Sequence, residues 1–253
     1  MKKYLADERR ALLARLINEK GSIRIGELAD FFGVSRETIR KDIISLDQQK
    51  LVCKTHGGAV AISESRERPI EMRSQENAAQ KERIAMKALD YVHENQVILL
   101  DSGSTVLTLA RMLDNVHNCT LITNSLPVAS VLSEKGLSFH LIGGEFSPIT
   151  MATSGMLAAQ ALNMIKADIV FLGTSGFQSS SGPSAKAFCD AQIKQDMIRN
   201  SRFKIVLADS SKFHTNAFVR FANWTEIDLL ITNEDADPDM VKELQKVVEV
   251  VLV

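Results

Sequence analysis

The sequence predicts an α/β protein of two domains, a small N-terminal one with helices and a hairpin and a larger one with a mostly parallel sheet. Three observations support this. Residues 1–62 place apolar residues at helical spacing and then form two short strand-like segments around a Gly-Gly pair. Residues 63–76 shift to Glu, Arg, Ser and Gln, which indicates a linker. Residues 77–253 alternate compact apolar runs with helical patterns.

The bulk composition is that of an ordinary folded protein, with 45% apolar and 24% charged residues. Its charge is distributed unevenly. Residues 1–60 hold 12 Lys and Arg against 8 Asp and Glu, and the remainder holds 18 against 23. A basic N-terminal domain on an acidic body indicates that the N-terminal domain meets a polyanion.

Several classes of protein are excluded by simple counts. The three cysteines are far apart and none has a His at ligand spacing, so neither a disulfide framework nor a zinc site is expected. The N-terminus never becomes the apolar core of a signal peptide, and no window approaches about 18 consecutive apolar residues. We therefore expect a cytoplasmic protein without a membrane partner.

The N-terminal domain is predicted to begin with three helices. Residues 4–19 form the first, which stops at Lys20-Gly21, and a short second helix runs from about Gly26 to Phe32. The third begins after Ser35, a strong N-cap residue, and buries apolar residues at positions i, i+4 and i+7. Residues 51–55 and 59–62 flank a turn and predict a hairpin.

The second and third helices have the pattern of a helix-turn-helix. Small Ala29 permits a close approach of the two helices, Gly33 permits the tight turn, and Val34 packs in the angle between them. The third helix then has side chains off its apolar stripe that can meet base edges and phosphates in a major groove: Arg36, Thr38, Arg40 and Lys41. The alternative is a plain helical hairpin with a solvated basic face.

Residues 9–60 resemble the DNA-binding domain of the DeoR family of repressors. The resemblance lies in Val34-Ser35-Arg36-Glu37-Thr38-Ile39-Arg40-Lys41-Asp42, in Leu46 and Leu51, and in His56-Gly57-Gly58-Ala59. It implies a winged helix-turn-helix with the wing at His56 and Gly57, and DNA contacts from Ser35 onward. Lys41 departs from the usual Arg, and since lysine cannot make a forked contact to guanine, we expect it to bind a phosphate.

The larger domain opens with a helix predicted over 77–94. Its compact apolar runs are Val97–Leu100, Cys119–Thr123, Ser138–Ile142, Ile169–Leu172, Lys204–Ala208, Asp228–Ile231 and Val247–Val253. Short buried strands separated by helices predict a layered, largely parallel sheet.

Polar loops follow five of these strands. The loop Asp101-Ser102-Gly103-Ser104-Thr105 opens a helix, where free backbone N–H groups and hydroxyls can cradle an anion. The other loops begin at Thr123, Gly143, Gly173 and Asp209, and the last of them adds the cation of Lys212. Since ligands of open parallel sheets bind at the carboxyl ends of the strands, these loops predict one shared pocket.

The DeoR resemblance continues from about 76 to 253, where the family's effector domain is similar to sugar-phosphate isomerases such as ribose-5-phosphate isomerase. It implies that Ser102, Gly103, Ser104 and Thr105 hold a phosphate, and that Lys212 pairs with the phosphate or with a ring oxygen. It also implies that Asp101 and Asn124 meet sugar hydroxyls. The Gly143 loop, one of the polar loops named above, is expected in the same effector site. This sequence departs from the family at two places on the sugar side. Asp190 stands where relatives usually carry Glu, and residues 177–187 lack the Gly-Leu-Thr-type run that many relatives have there.

The expected function is that of a DNA-binding repressor of a sugar or polyol catabolic operon, released from its operator by a phosphorylated sugar. The expected partners are operator DNA, the effector and a second copy, as a homodimer or homotetramer. No cofactor, metal ion or catalytic residue is expected. Three alternatives stay open: an isomerase-like enzyme with a fused DNA-binding domain, an activator, and an architectural DNA protein that senses nothing.

Overall fold

The computed structural model describes residues 5–20, 22–49, 51–54, 57–61, 67–114, 116, 118–177, 181–215 and 217–253. The contacts between residues divide the chain into two compact units, Met1–Arg66 and Glu67–Val253. Each unit has a core of its own. Among the described residues, no helix is both long and apolar enough to span a membrane.

The first unit is a set of helices closed by a small antiparallel sheet. Its elements are α1 (Ala6–Lys20), β1 (Ser22–Arg24), α2 (Ile25–Phe32), α3 (Arg36–Gln48), β2 (Val52–Lys54) and β3 (Gly58–Ala61). The described strands pair in the order β1-β3-β2. The predicted hairpin is present as β2 and β3, whereas β1 was not predicted because three residues are too short to show a pattern.

The turn between α2 and α3 forms as the sequence predicts. Gly33 adopts the left-handed conformation with φ 64° and ends α2, which is a backbone conformation that favours glycine. Ser35 caps α3 by accepting a hydrogen bond from the N–H of Thr38. Ile39, Ile43 and Leu46 are buried on one stripe of α3, so the opposite face is left to solvent.

The second unit is built around a parallel sheet. Its helices are α4 (Ile70–Gln75), α5 (Ala78–Ala88), α6 (Ser104–Met112), α7 (Leu126–Glu134), α8 (Gly155–Asn163), α9 (Phe188–Arg199) and α10 (Pro238–Leu244). Its strands are β4 (Val97–Leu100), β5 (Thr120–Thr123), β6 (Phe139–Leu141), β7 (Glu145–Ser147), β8 (Ala152–Ser154), β9 (Ala167–Gly173), β10 (Gly176–Phe177), β11 (Pro183–Ala185), β12 (Ser201–Leu207), β13 (Val219–Arg220), β14 (Leu229–Thr232) and β15 (Glu249–Leu252).

In the described part of this unit, seven strands form one sheet in the order β15-β14-β12-β9-β4-β5-β6. Every neighbouring pair is parallel. Each strand coincides, within a few residues, with an apolar run of the sequence, so the predicted α/β class is confirmed. Strand residues alternate between two cores: Ile98 and Leu100 pack with α4 to α7, and Leu99 packs with α8 to α10.

The strand order reverses direction between β4 and β9. The chain proceeds from β4 outward to β5 and β6, and then returns to the other side of β4 to form β9, β12, β14 and β15. After β4 the chain continues to the face covered by α4 to α7, and after β9 it continues to the face covered by α8 to α10. Such a switch point opens a crevice in doubly wound sheets. The fold places the second unit's pocket at this crevice.

The predicted linker over 63–76 differs from the structure in its second half. Residues 70–75 form α4, and Ile70 is only 2% exposed and packs in the core of the second unit. The backbone N–H of Ile70 also donates to the carbonyl of Ile149 at 3.2 Å. Charged residues dominate this stretch, so a helix anchored by one isoleucine resembled a linker in composition. Residues 63–66 lie outside the described part of the chain.

Candidate functional site

The outward face of α3 carries three cationic side chains. Arg36, Arg40 and Lys41 are all exposed, as the sequence analysis expected. Arg40 forms an ion pair with Glu37 one turn away, at 3.3 Å, and the Arg36 guanidinium lies over Gly26 at the start of α2. An exposed pair of this kind is worth little, so Arg40 can exchange Glu37 for another anion at small cost.

Ser35 and Thr38, two of the predicted DNA contacts, form the N-terminal cap of α3. The hydroxyl of Ser35 accepts the backbone N–H of Thr38 at 3.1 Å and lies 2.9 Å from the Thr38 hydroxyl. The two hydroxyls therefore hydrogen-bond to each other, and that of Ser35 also accepts a backbone N–H of the first turn of α3. Their capping bonds fix the direction in which α3 presents its cations.

Asp42 holds α3 against α1. Its carboxylate is 3% exposed and accepts a forked pair of hydrogen bonds from Arg9, at 2.6 and 3.3 Å, and one from Arg10 at 3.1 Å. The hydrogen bond that Arg9 donates to Asp42 raises the pKa of Arg9 against the opposing effect of burial. Asp42 ends the motif that begins at Val34, and its contacts with Arg9 and Arg10 join α3 to α1.

The predicted wing is the turn between β2 and β3. Gly57 is exposed with open space around its Cα, so it is free to approach a partner. Gly58 is required for packing instead, because a Cβ there would lie 2.2 Å from the carbonyl oxygen of Ile23 on β1. His56, which was also assigned to the wing, lies outside the described residues.

A pocket of about 280 Å³ opens at the switch point of the second unit. Its walls come from segments far apart in sequence: Glu67, Arg68, Arg73, Glu76 and Asn77 around α4; Ser102, Gly103, Ser104 and Thr105 after β4; Thr150; Gly173, Thr174 and Ser175 after β9; Lys186, Asp190 and Lys194 around the start of α9; and Ser211, Lys212 and Thr215 after β12. The loops after β4, β9 and β12 thus meet as the sequence analysis expected.

The start of α6 forms one wall of this pocket. Gly103 is the N-cap of α6, and Ser104 and Thr105 are its first residues. The first N–H groups of a helix have no acceptor within the helix and carry partial positive charge, which favours an anion. Gly103 is needed for packing, since a Cβ there would lie 2.9 Å from the Cα of Gly173 in the facing loop.

Three cationic side chains line the pocket together with the N-terminus of α6. Lys212 lies on a short 3₁₀ turn after β12, and its Nζ makes no ion pair within 4.0 Å with any residue that the structure describes. Arg73 and Lys186 reach the pocket from other elements, and burial lowers the pKa of Lys186 while Glu67 opposes that shift. Such a combination of free N–H groups, hydroxyls and cations favours an anionic ligand.

Asp101 does not have the position that its predicted role requires. Its side chain is completely buried, and one carboxylate oxygen accepts both the N–H of Gly173, at 2.8 Å, and the ammonium of Lys194. The prediction that Asp101 meets ligand hydroxyls therefore does not fit the structure. Asp101 instead ties the ends of β4 and β9 to α9, and through Lys194 it shapes the pocket wall.

Asn124 and Gly143 also lie apart from the pocket. Asn124 is 2% exposed and its amide donates to the carbonyl of Thr153 on β8 at 2.8 Å. Gly143 is exposed and does not line the pocket. The reason is topological, because β5 and β6 lie on the far side of β4 from the switch point. The carbonyl of Asn124 also accepts the N–H of Thr153, at 2.9 Å, so β8 packs against the loop after β5.

Two oppositely charged side chains of α9, Asp190 and Lys194, also line the pocket. Asp190 and Lys194 are one helical turn apart on α9, with 3.8 Å between Oδ1 and Nζ. Burial raises the pKa of Asp190 to about 6, although the charge of Lys194 acts in the opposite direction. Burial alone would lower the pKa of Lys194, but Asp101 and Asp190 together raise it. Asp190 can accept hydrogen bonds from ligand hydroxyls, whereas Lys194 is held by Asp101.

A buried lysine supports the corner between α4 and α5. Lys81 is 2% exposed, and its ammonium donates to the carbonyls of Arg73 and, at 2.7 Å, Glu76. Burial lowers its pKa to about 8, partly offset by Asp209. Asp209 in turn accepts from the amide of Asn77 at 2.9 Å. These bonds fix the wall that carries Arg73.

Sequence reasoning placed Asp190 on the sugar side, but it missed Lys194 and the pocket residues around α4. Glu67, Arg68 and Arg73 lay in the predicted linker, where charge was taken as a sign of solvent exposure. Asp190 and Lys194 have the i, i+4 spacing of an ion pair on one helix face, and this signal could have indicated that they act together.

Comparison with known proteins decides the family. Residues 9–65 match the model of the DeoR-like helix-turn-helix domain, and residues 76–234 match that of the DeoR C terminal sensor domain. The chain belongs to the DeoR family. This DeoR-family protein is 34% identical over 244 residues to the uncharacterized HTH-type transcriptional regulator YulB of Bacillus subtilis, covering 95% of this chain and 94% of that one. It is 31% identical over 227 residues to the glycerol-3-phosphate regulon repressor of Escherichia coli K12, covering 89% of each.

Solved structures with a related arrangement include the ribose 5-phosphate isomerase A of Methanocaldococcus jannaschii. That enzyme is 20% identical, with a TM-score of 0.42, over 55% of this chain and 56% of its own. A likeness of this extent establishes no shared activity.

Proposed function

We propose that this DeoR-family transcription regulator represses a sugar or polyol catabolic operon and leaves its operator when a phosphorylated sugar or polyol binds the pocket of the second unit. The observation that supports the effector class is the anion-receptive wall formed by Ser102–Thr105 at the start of α6, with the cation of Lys212 facing the same pocket. A phosphate monoester carries about two negative charges and three acceptor oxygens, which matches these donors.

The DNA-binding half of the proposal is supported by the geometry of α3. Arg36, Arg40 and Lys41 are exposed on a helix that is held by Asp42 and capped by Ser35. Arginine can make a forked contact to guanine and lysine a point contact to phosphate, so Arg36 and Arg40 specify sequence and Lys41 positions the helix. Gly57 and His56 remain our assignment for the wing.

The size and polarity of the pocket support a small polyhydroxylated effector. A volume of about 280 Å³ is near the lower end of the roughly 300–1,000 Å³ that is usual for ligand pockets. Phosphate oxygens would meet the start of α6 and Lys212, and hydroxyl groups would meet the carboxylate of Asp190. The name of the Escherichia coli relative, a glycerol-3-phosphate regulon repressor, makes glycerol 3-phosphate a sensible first compound to test.

The test is a binding screen on the full chain. Phosphorylated sugars and polyols of three to six carbons are compared with their unphosphorylated counterparts by thermal shift, and hits are then titrated by calorimetry. A ligand at 100 times its dissociation constant should add about 2.7 kcal/mol of apparent stability. The same hits are added to a complex with an operator selected from random duplexes, and they should release the protein.

Two lysine variants separate the pocket from general electrostatics. Lys212→Ala removes a charge-assisted contact worth roughly 1.5–3 kcal/mol, so the effector midpoint should rise on the order of tenfold or more while operator affinity stays unchanged. Lys242 on α10 is exposed, pairs with Asp239 and does not line the pocket, so Lys242→Ala should leave both values unchanged. An identical midpoint in the two variants would place the effector elsewhere.

The remaining expectations belong to the same proposal. The protein should show no isomerisation of any phosphosugar, which a coupled assay on each hit can check. We expect a homodimer or homotetramer in the cytoplasm, because one module contacts few phosphates and a symmetric pair engages two half-sites. Activation of the operon in place of repression would appear as lower expression of the neighbouring genes when the regulator is deleted.

A further inference from the structure

The carboxylate of Glu67 lies inside the pocket that we assign to the effector. One of its oxygens forms an ion pair with Arg73 Nε at 3.1 Å, while the N–H of that nitrogen donates to the carbonyl of Arg68 at 3.0 Å. The other oxygen accepts a hydrogen bond from the Ser175 hydroxyl at 3.4 Å. The Glu67 side chain is only 15% exposed and that of Arg73 is 18% exposed. This pair is therefore partly sheltered from water, unlike the surface ion pairs of the protein.

The groups around Glu67 are those that an anionic ligand would use. Arg73, Ser175 and Lys186 all line the pocket, and the charge of Glu67 acts on Lys186 as well. A carboxylate and a phosphate are both anionic acceptors that bind arginine and hydroxyl donors. Glu67 therefore faces the charge of Arg73 and the hydroxyl of Ser175, two groups that a bound phosphate ester would also use.

The position of Glu67 in the chain connects this contact to the first unit. Glu67 is the first residue of the second unit, and residues 62–66 join it to β3, which ends at Ala61. Ile70, three residues later, is anchored by its buried side chain and by its N–H bond to Ile149. Ile70 therefore holds in place the chain that follows Glu67.

We propose that Glu67 is a built-in competitor for the effector's phosphate, and that its displacement from Arg73 transmits occupancy of the pocket to the segment joining the two units. The inference rests on the proposed function, since it takes the ligand to be a phosphate ester. Two states then exist, with Glu67 in the pocket or out of it, and the ligand favours the second because the two anions compete for the same donors. Only such a difference in affinity can shift the equilibrium.

Glu76 provides a matched control within the same pocket. It also lines the pocket, but it pairs with Arg68 at 2.7 Å, is 39% exposed and follows α4. Its removal lowers the negative charge of the pocket by the same amount as removal of Glu67. It leaves the contact between Glu67 and Arg73 intact and releases Arg68 instead, so the two variants differ in which pocket arginine loses its carboxylate partner.

The experiment uses the full chain, its Glu67→Gln and Glu76→Gln variants, and inorganic phosphate as the probe. Calorimetry should show phosphate binding that is tighter in Glu67→Gln than in the wild type by on the order of tenfold, as expected for removing a charge-assisted competitor. Glu76→Gln should gain clearly less. Hydrogen exchange of the segment 60–69 should increase when phosphate is added to the wild type, and it should already be high in Glu67→Gln without phosphate.

The possible results separate this inference from the function on which it rests. Phosphate binding that is equal in the two variants, with exchange at 60–69 indifferent to phosphate, overturns the competitor and leaves the pocket assignment standing. Absence of phosphate binding to all three proteins overturns both. A circular dichroism spectrum of each variant checks that the fold is retained.

Discussion

Replacing Asp42 by alanine should destabilise the DNA-binding unit and leave the sensor unit unchanged. Asp42 is 3% exposed and its main partner Arg9 is 13% exposed, so the substitution leaves a largely buried guanidinium without its forked acceptor. Removing one partner of a buried pair costs about 3–5 kcal/mol. Because Arg9 keeps some access to water and Arg10 is more than a third exposed, we expect a value near 3 kcal/mol, at the low end of that range.

This cost is large for a unit of that size. A unit spanning Met1–Arg66 has an expected stability of roughly 3–10 kcal/mol, taking about 0.05–0.15 kcal/mol per residue. The loss is therefore about a third of the total or more, and it should weaken operator binding by raising the unfolded fraction of the DNA-binding unit. Effector binding should not change, since the pocket is lined by residues of the second unit only as far as the structure describes it.

The assay follows from the position of the single tryptophan in the sequence. Trp224 is 2% exposed and lies in the second unit, so its fluorescence during urea unfolding reports that unit, whereas circular dichroism reports the helices of both. In Asp42→Ala the circular dichroism signal should begin to fall at lower urea while the fluorescence midpoint stays in place. Arg9→Met combined with Asp42→Leu should recover part of the loss, because it replaces the pair with apolar groups. A fluorescence midpoint that shifts as far as the dichroism, or a cost under about 1 kcal/mol, would refute this account.

Arg36→Ala should weaken binding to the selected operator by about 1–3 kcal/mol and relax the preference at one base position. Lys41→Ala should instead weaken binding to all DNA duplexes alike and lower the salt slope by about one. Gel-shift titrations at several salt concentrations distinguish these two roles. Gly103→Ala should lower the thermal stability by roughly 1–3 kcal/mol, because its Cβ would meet the facing loop at 2.9 Å, while Gly143→Ala, with open space around it, should stay within about 0.5 kcal/mol. The pKa of Lys81 is lowered to about 8, so between about pH 8 and 10.4 the folded protein binds fewer protons at this group than the unfolded chain does. The wild type should therefore gain stability relative to Lys81→Met as the pH rises through this window. A difference in urea midpoints that stays constant with pH would contradict the shift.

The sheet could be predicted from the sequence because its strands are buried on both faces. Runs such as Val97–Leu100 and Leu229–Thr232 are continuous apolar segments between helical patterns, and this combination has few interpretations. The helix-turn-helix could also be predicted, because Gly33 ends α2 and Ser35 caps α3, and both roles depend only on neighbouring residues. By contrast β1 has three residues, and its pairing with β3 depends on contacts some 35 residues away.

The pocket was predicted at the correct edge of the sheet but with a different membership. Ser102–Thr105 and Lys212 were identified because loops that follow parallel strands meet at the carboxyl edge. The side-chain direction of Asp101 could not be known, because its partner Lys194 lies 93 residues further along the chain. Glu67 and Arg73 were hidden by their charged surroundings, since local composition does not report that Ile70 anchors them to the core.

The boundary of the pocket has a practical consequence for anyone who wishes to exchange sensors between regulators of this kind. The family model of the sensor domain begins at residue 76, and a graft made there would be the obvious choice. Such a graft would discard Glu67, Arg68 and Arg73, which line the pocket, together with Ile70, which packs under α6. A chimera that is joined within residues 62–66 carries every described residue of the pocket lining with it, so under the proposed function we expect the resulting biosensor to keep the donor's response to its effector.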